Sequence, residues 1–137
     1  MKVEDCIFFQ LAKASQAATR FWASKVAPLN VTAVQAMVLN ALSEQDEVTS
    51  RDLGEKTRLD SATLTGILDR LESVALIERR SHPMDRRAIL VCLTEQGSKL
   101  AIDLKRIMHE ANREYLSGLS DEEQVILRNV LRKVRER

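Results

Sequence analysis

Hydrophobic positions along the chain change period in a definite order. Over Val3–Val26, residues Ile7, Leu11, Ala14, Ala18 and Phe21 recur at three- and four-residue spacing, and Phe8 and Trp22 widen the stripe, which predicts a long helix. Pro28-Leu29-Asn30-Val31 breaks it. Thr32-Ala33-Val34-Gln35 has the form of a capping box and opens a helix to about Ser43, with Val34, Met37, Val38, Ala41 and Leu42 facing inward. Glu44–Val48 reads as a polar connector, and Thr49 as the cap of a short helix anchored by Leu53, with Gly54 close to the next turn. In Asp60–Ser73, Leu64, Ile67, Leu68 and Leu71 share one helical face. Leu76–Arg80 and Ala88–Leu93 are short and aliphatic, so they predict a hairpin whose connection, Ser81–Arg87, is too long for a two-residue turn. Thr94 opens a second long helix, to about Leu116, with Leu100, Leu104, Ile107, Ala111 and Tyr115 as its seam and Met108 alongside. After Gly118-Leu119, the capping box Ser120-Asp121-Glu122-Glu123 starts a last helix bearing Val125, Leu127, Val130, Leu131 and Val134.

The polar side of Asp60–Ser73 carries the candidate chemistry. Ala62, Gly66, Asp69 and Ser73 lie there, flanked by Thr63, Thr65 and Arg70. Such small polar side chains neither fill a core nor repel a closely approaching surface, so this helix, backed by a short partner, can enter a DNA major groove. An ordinary amphipathic surface helix would show the same pattern. The hairpin separates the two readings: Arg79, Arg80, Arg86 and Arg87 are set against Asp85 around its tip. Guanidiniums on a protruding ribbon suit a phosphate backbone or a narrow minor groove. A helix-turn-helix followed by such a ribbon is a wing arrangement.

That order of elements resembles the MarR family of bacterial winged-helix regulators over nearly the whole chain. The resemblance rests on Leu59-Asp60-Ser61-Ala62-Thr63-Leu64-Thr65, Arg70-Leu71-Glu72, Leu76-Ile77-Glu78-Arg79, Asp85-Arg86-Arg87 and Leu93-Thr94-Glu95-Gln96-Gly97. It implies that Ser61, Ala62, Thr63, Gly66, Asp69 and Arg70 face bases and phosphates in the major groove. Arg70 would read a guanine or clamp a phosphate. Asp69 departs from the basic or neutral residue expected at its position; a carboxylate accepts from cytosine N4 but repels phosphate. Arg87 matches the family's minor-groove arginine, with Asp85 holding it by an ion pair and Arg86 beside it. The resemblance also implies a homodimer built on the first and last helices, and a phenolic or aromatic carboxylate ligand between those helices and the winged part. Phe8, Trp22, Met37 and Tyr115 are the local pocket candidates. Peroxide-sensing relatives carry a reactive cysteine near the start of the first helix, where Cys6 stands. Counting back from Leu29-Asn30-Val31-Thr32, that position falls nearer Phe8, and the acids Glu4 and Asp5 oppose a Cys6 thiolate.

Composition narrows the picture. The 137 residues suit one domain, and 21 basic against 20 acidic side chains leave a formal net charge of +1. Global charge therefore does not announce a nucleic-acid binder; the placement of the arginines does. No apolar run is long enough to span a bilayer, and the N-terminus lacks the regions of a signal peptide. Cys6 and Cys92 have no metal-ligand spacing and fit a reducing cytoplasm, and Cys92 on its apolar strand is expected to be inert. Gly54, Gly66, Gly97 and Gly118 are too scattered for a phosphate loop, while His82 and His109 lack partners at metal spacing. With no nucleophile elbow either, catalysis, metal and cofactor drop out of the expectation.

The expected fold is mainly α, α+β by class. A winged helix-turn-helix part over 30–94 carries a two-stranded wing, and 1–27 with 95–137 form a helical dimerisation part. The expected function is sequence-specific transcriptional regulation, most simply repression, on double-stranded DNA. The rival is a winged-helix module for protein–protein contact in which the wing arginines only solubilise.

Overall fold

The computed structural model describes residues 1–45 and 47–137. Helices α1 (Ile7–Val26) and α2 (Ala33–Ser43) lead to strand β1 (Glu47–Thr49). Helices α3 (Ser50–Thr57) and α4 (Ser61–Ser73) precede strands β2 (Ile77–Ser81) and β3 (Ile89–Leu93). Helices α5 (Glu95–Tyr115) and α6 (Asp121–Arg135) close the chain. A 3-10 turn at Val3–Asp5 and an extended Cys6 delay α1 to Ile7, four residues later than the periodicity predicts.

Side-chain caps set most of the helix starts. Thr32 and Gln35 close a reciprocal capping box on α2, and Ser120 and Glu123 close another on α6. Thr49, Asp60 and Thr94 each accept a backbone amide of the first turn of α3, α4 and α5.

The core lies where α2, α3, α4 and α5 meet the sheet. Val38, Leu39, Leu42, Leu53, Leu71, Ile77, Val91 and Leu104 are among its fully enclosed side chains. All four apolar residues on the inner face of α4 are buried as the spacing predicts, and each such side chain contributes about 1.5–3 kcal/mol when fully removed from water. The expected inward set on α2 needs correction: Met37 is 60% exposed and Val34 37%, while Ala36, Leu39 and Asn40 take the interior. Because α2 packs against α1, α3 and α5 together, its enclosed face centres on Val38, Leu39 and Leu42.

The wing hairpin pairs antiparallel from Ile77 with Leu93 to Ser81 with Ile89. A third strand joins it, because β1 lies antiparallel on the other edge of β3, Val48 opposite Val91. The connector expected over Glu44–Val48 thus ends in a strand; Asp46, inside that span, lies outside the described residues. Val48 and Val91 are both buried, so β1 is held by cross-strand packing on β3 more than by a pattern of its own. Among the described residues, no single helix is long and apolar enough to cross a membrane.

Candidate nucleic-acid interface

Helix α4 presents its polar face between two grooves. On one side an open groove of about 880 Å³ runs between α3, α4 and the wing, with Arg51, Ser61, Thr65, Asp85 and Arg87 in its lining. On the other, a groove of about 340 Å³ separates α4 from the start of α2, lined by Thr32, Gln35, Thr63, Gly66 and Arg70 among others. The sequence candidates therefore divide. Ser61, Asp85 and Arg87 share the wing groove, and Thr63, Gly66 and Arg70 share the α2 groove. Ala62 and Arg86 are exposed outside both. Arg51, Thr32 and Gln35 are additions that the sequence reading did not place. Arg51 follows the cap of α3 and Thr32 is itself a cap, so both sit at helix starts, where N–H groups lack internal partners.

The start of α4 is already partly occupied. The Thr63 amide donates to Asp60 Oδ1 at 2.8 Å and the Thr63 hydroxyl to Asp60 Oδ2 at 2.7 Å. These two bonds, the amide's first, hold the Asp60 carboxyl below the usual aspartate range. The Thr63 hydroxyl is thus engaged within the chain rather than waiting for a phosphate, and the Thr65 hydroxyl donates to the Ser61 carbonyl at 2.8 Å.

Two further expectations are corrected at the wing. Asp85 turns its carboxylate to the Arg87 backbone amide, at 2.9 Å, instead of pairing with the guanidinium. This Asx-type bond shapes the loop and leaves the Arg87 side chain exposed. Nor do four arginines gather at the tip. Arg80 bonds Glu78 Oε2 through Nε and Nη2, and Arg79 reaches back to α4, meeting Asp69 at 2.5 Å and Glu72 at 3.0 Å. The carboxylates draw both arginines toward the body, so Arg86 and Arg87 are the guanidiniums left in the Ser81–Ile89 loop.

A separate cavity of about 390 Å³ opens between α1, α2, α5 and α6. Of the pocket candidates, Trp22, Met37 and Tyr115 line it, and Phe21, Met108 and Arg128 join them. The Phe21 and Tyr115 rings pack tilted at 52°, with 4.8 Å between centroids. Met108 also receives the Asn40 amide on its sulfur at 3.7 Å. Phe8 is not in this lining; at 78% exposure it stands on the outer face of α1.

The thiols differ sharply. Cys92 is buried in the central strand, where burial first, and then the Glu47 charge, push its thiol above the ordinary range, with Arg80 opposing. Cys6 is half-exposed. Iodoacetamide at neutral pH is therefore expected to label one thiol per native chain, Cys6, and Cys92 only on unfolding. Mass spectrometry showing rapid labelling of both would mean that β3 opens readily.

A family model described as MarR family matches residues 29–88, the span from the turn before α2 to the wing loop. The organic hydroperoxide resistance transcriptional regulator of Bacillus subtilis is 36% identical over 107 residues, 76% of this chain and 73% of that protein. The chain belongs to the MarR family.

Solved structures agree with that membership over the full fold. Bordetella bronchiseptica BpsR, solved in work on the regulation of its DNA binding by 6-hydroxynicotinic acid, superposes with a TM-score of 0.93 at 27% identity. That match covers 100% of this chain and 98% of BpsR. A mutant MarR from Escherichia coli in complex with operator DNA gives a TM-score of 0.87 at 28% identity, covering 96% of each chain. This MarR-family chain is thus a DNA-binding transcriptional regulator by kinship, and its family is one of regulators rather than enzymes.

Proposed function

We propose that the protein is a homodimeric, sequence-specific repressor that binds a palindromic operator and is released by a small aromatic or phenolic ligand. The arrangement of Ser61 and Arg87 across one groove, with Thr63, Gly66 and Arg70 on the other flank of α4, carries this reading. Helix α4 supplies small and hydrogen-bonding side chains for the major groove. The wing carries Arg87 outward to the adjacent minor groove, where arginine meets an enhanced negative potential. Two copies related by a twofold axis read half-sites roughly 10 bp apart. Bound at a promoter in the cytoplasm, the dimer blocks polymerase.

The release step is assigned to the cavity between α1, α2, α5 and α6. Its walls are mostly apolar and aromatic, and Arg128 offers a carboxylate a cation. BpsR, the relative tied to 6-hydroxynicotinic acid, lends the same direction. A ligand there bears on α1 and α5 and hence on the spacing of the two α4 helices. Oxidation at Cys6 is the second reading, favoured by its partial exposure and by the likeness to the hydroperoxide regulator.

Fluorescence anisotropy against duplexes selected from a random pool tests the DNA reading. Wild-type affinity is expected to fall steeply with salt, and Arg87→Ala to bind about tenfold more weakly with a shallower salt slope. A pool that yields no enriched sequence, or binding indifferent to salt, would favour the protein-contact module instead.

A further inference from the structure

We propose that Arg79 is a positioning residue for DNA recognition, tying the recognition helix to the base of the wing and screening a carboxylate on the helix's reading side without itself touching phosphate. The proposal rests on α4 and the wing being the DNA-contacting elements.

The geometry is a two-acid clamp. Arg79 Nη2 donates to Asp69 Oδ1 at 2.5 Å and to Glu72 Oε1 at 3.0 Å, and the Arg79 backbone amide donates to Glu72 Oε2 at 3.1 Å. Asp69 and Glu72 lie one helical turn apart on α4, so both close on a single guanidinium from β2. Both side-chain bonds leave the two N–H groups of Nη2, at the far end of a planar guanidinium, so the position of that one nitrogen decides whether both carboxylates are reached. The Arg79 side chain is 25% exposed, whereas Arg86 and Arg87 of the loop are exposed. Its hydrogen bonds, Glu72's first and then Asp69's, hold the guanidinium firmly protonated, and they lower the Glu72 carboxyl in return.

Two consequences follow for recognition. Asp69 is a neighbour of Arg70 on the polar side of α4, where a bare carboxylate would repel an approaching phosphate; paired with Arg79, it does so far less. Arg79 also sits mid-strand, opposite Val91 of β3. Its grip on α4 therefore fixes the hairpin, and with it the reach of Arg87 from the recognition helix. The departure at Asp69 is thereby explained as half of a tie rather than as a base-reading group.

The test uses the full-length protein and a duplex selected by the wild type, with affinity read across a range of salt. Arg79→Ala is expected to bind on the order of tenfold more weakly, with an unchanged slope of log affinity against log salt. Arg79→Lys should also bind weakly, since it keeps the charge but its ammonium ends one bond short of the Nη2 position that meets both acids. In an Asp69→Asn/Glu72→Gln background, Arg79→Ala should cost little more. A phosphate contact behaves oppositely: the slope drops by about 0.9, lysine restores affinity, and the cost persists in the neutralised background. Any one of those results overturns the proposal. Hydrogen exchange on the free protein reads the tie without DNA, so failure of the clamp stays distinct from failure of the DNA reading. Arg79→Ala and Arg79→Lys should speed exchange in Ile77–Ser81 and Ile89–Leu93 while α5 remains protected. Strand exchange at the wild-type rate in both variants would sink the tie whatever DNA does.

Discussion

Replacing Gly97 by alanine is expected to destabilise the protein by at least about 3 kcal/mol, enough to leave little folded material at 37 °C. Gly97 lies in the first turn of α5, where the helix start crosses the strand-entry segment before β2. A methyl built there falls 1.9 Å from the Leu76 carbonyl oxygen and 2.9 Å from its carbon. Neither atom can retreat easily. That carbonyl accepts the Thr94 amide at 3.1 Å, the Leu76 amide is held by the Leu71 carbonyl, and the Thr94 hydroxyl binds the Ala75 carbonyl at 2.6 Å. Ala75 itself sits at φ 62°, a left-handed conformation that leaves this turn little freedom to rearrange. Gly66→Ala is the control, because nothing lies within 4 Å of its added methyl; on helix propensity it should be neutral or slightly stabilising. Urea unfolding of both variants checks the contrast. A Gly97→Ala midpoint equal to wild type would mean that α5 and the turn into β2 separate at low cost.

This junction illustrates what the sequence discloses and what it withholds. Leu93-Thr94-Glu95-Gln96-Gly97 was readable as a helix start, since Thr94 is a cap and caps act within four residues. The same locality made Thr32, Thr49 and Ser120 legible, and the spacing of Leu64, Ile67, Leu68 and Leu71 gave the inner face of α4. Tertiary partners were not legible. Strand β1 is three residues long and is held by β3, more than forty residues ahead in the chain, so its own pattern carries almost no signal. Arg79 looks like Arg87 in sequence, and only the fold shows that Asp69 and Glu72 capture one and leave the other exposed. Phe8, alone of the four pocket candidates, lies away from the cavity for a related reason. An apolar stripe says that a helix has a buried side but not which neighbour buries it, and Phe8 faces away from the cavity that Met37 helps to line.

Glutamate at both Ile126 and Val130 is expected to dissociate the proposed dimer and to lower affinity for a full palindrome by about 10²-fold or more, with binding to an isolated half-site unchanged. The argument starts from a helix that lacks a home. Helix α6 spans 15 residues, yet none of them is buried within the chain. A helix of that length is marginal in water without packing. Ile126 is 60% exposed, Val130 49% and Val134 43%, at four-residue spacing, so an apolar stripe runs along its outer side. Helix α1 adds Ile7 at 53% and Phe8 at 78% exposure. Exposed apolar side chains of this kind on the first and last helices call for a partner, and the proposed twofold dimer supplies one by placing 1–27 and 95–137 of each copy together. Because both mutated side chains already face solvent, glutamate there should spare the monomer's core, and the far-ultraviolet spectrum should stay that of the wild type. Analytical ultracentrifugation reads the assembly, and anisotropy on whole and half operators reads its consequence. A double variant that still sediments as a dimer would move the interface elsewhere and leave the exposure of α6 without a function. One that becomes monomeric yet binds the palindrome as tightly as wild type would show that a single winged domain recognises the whole site, which removes the reason for a palindrome at all.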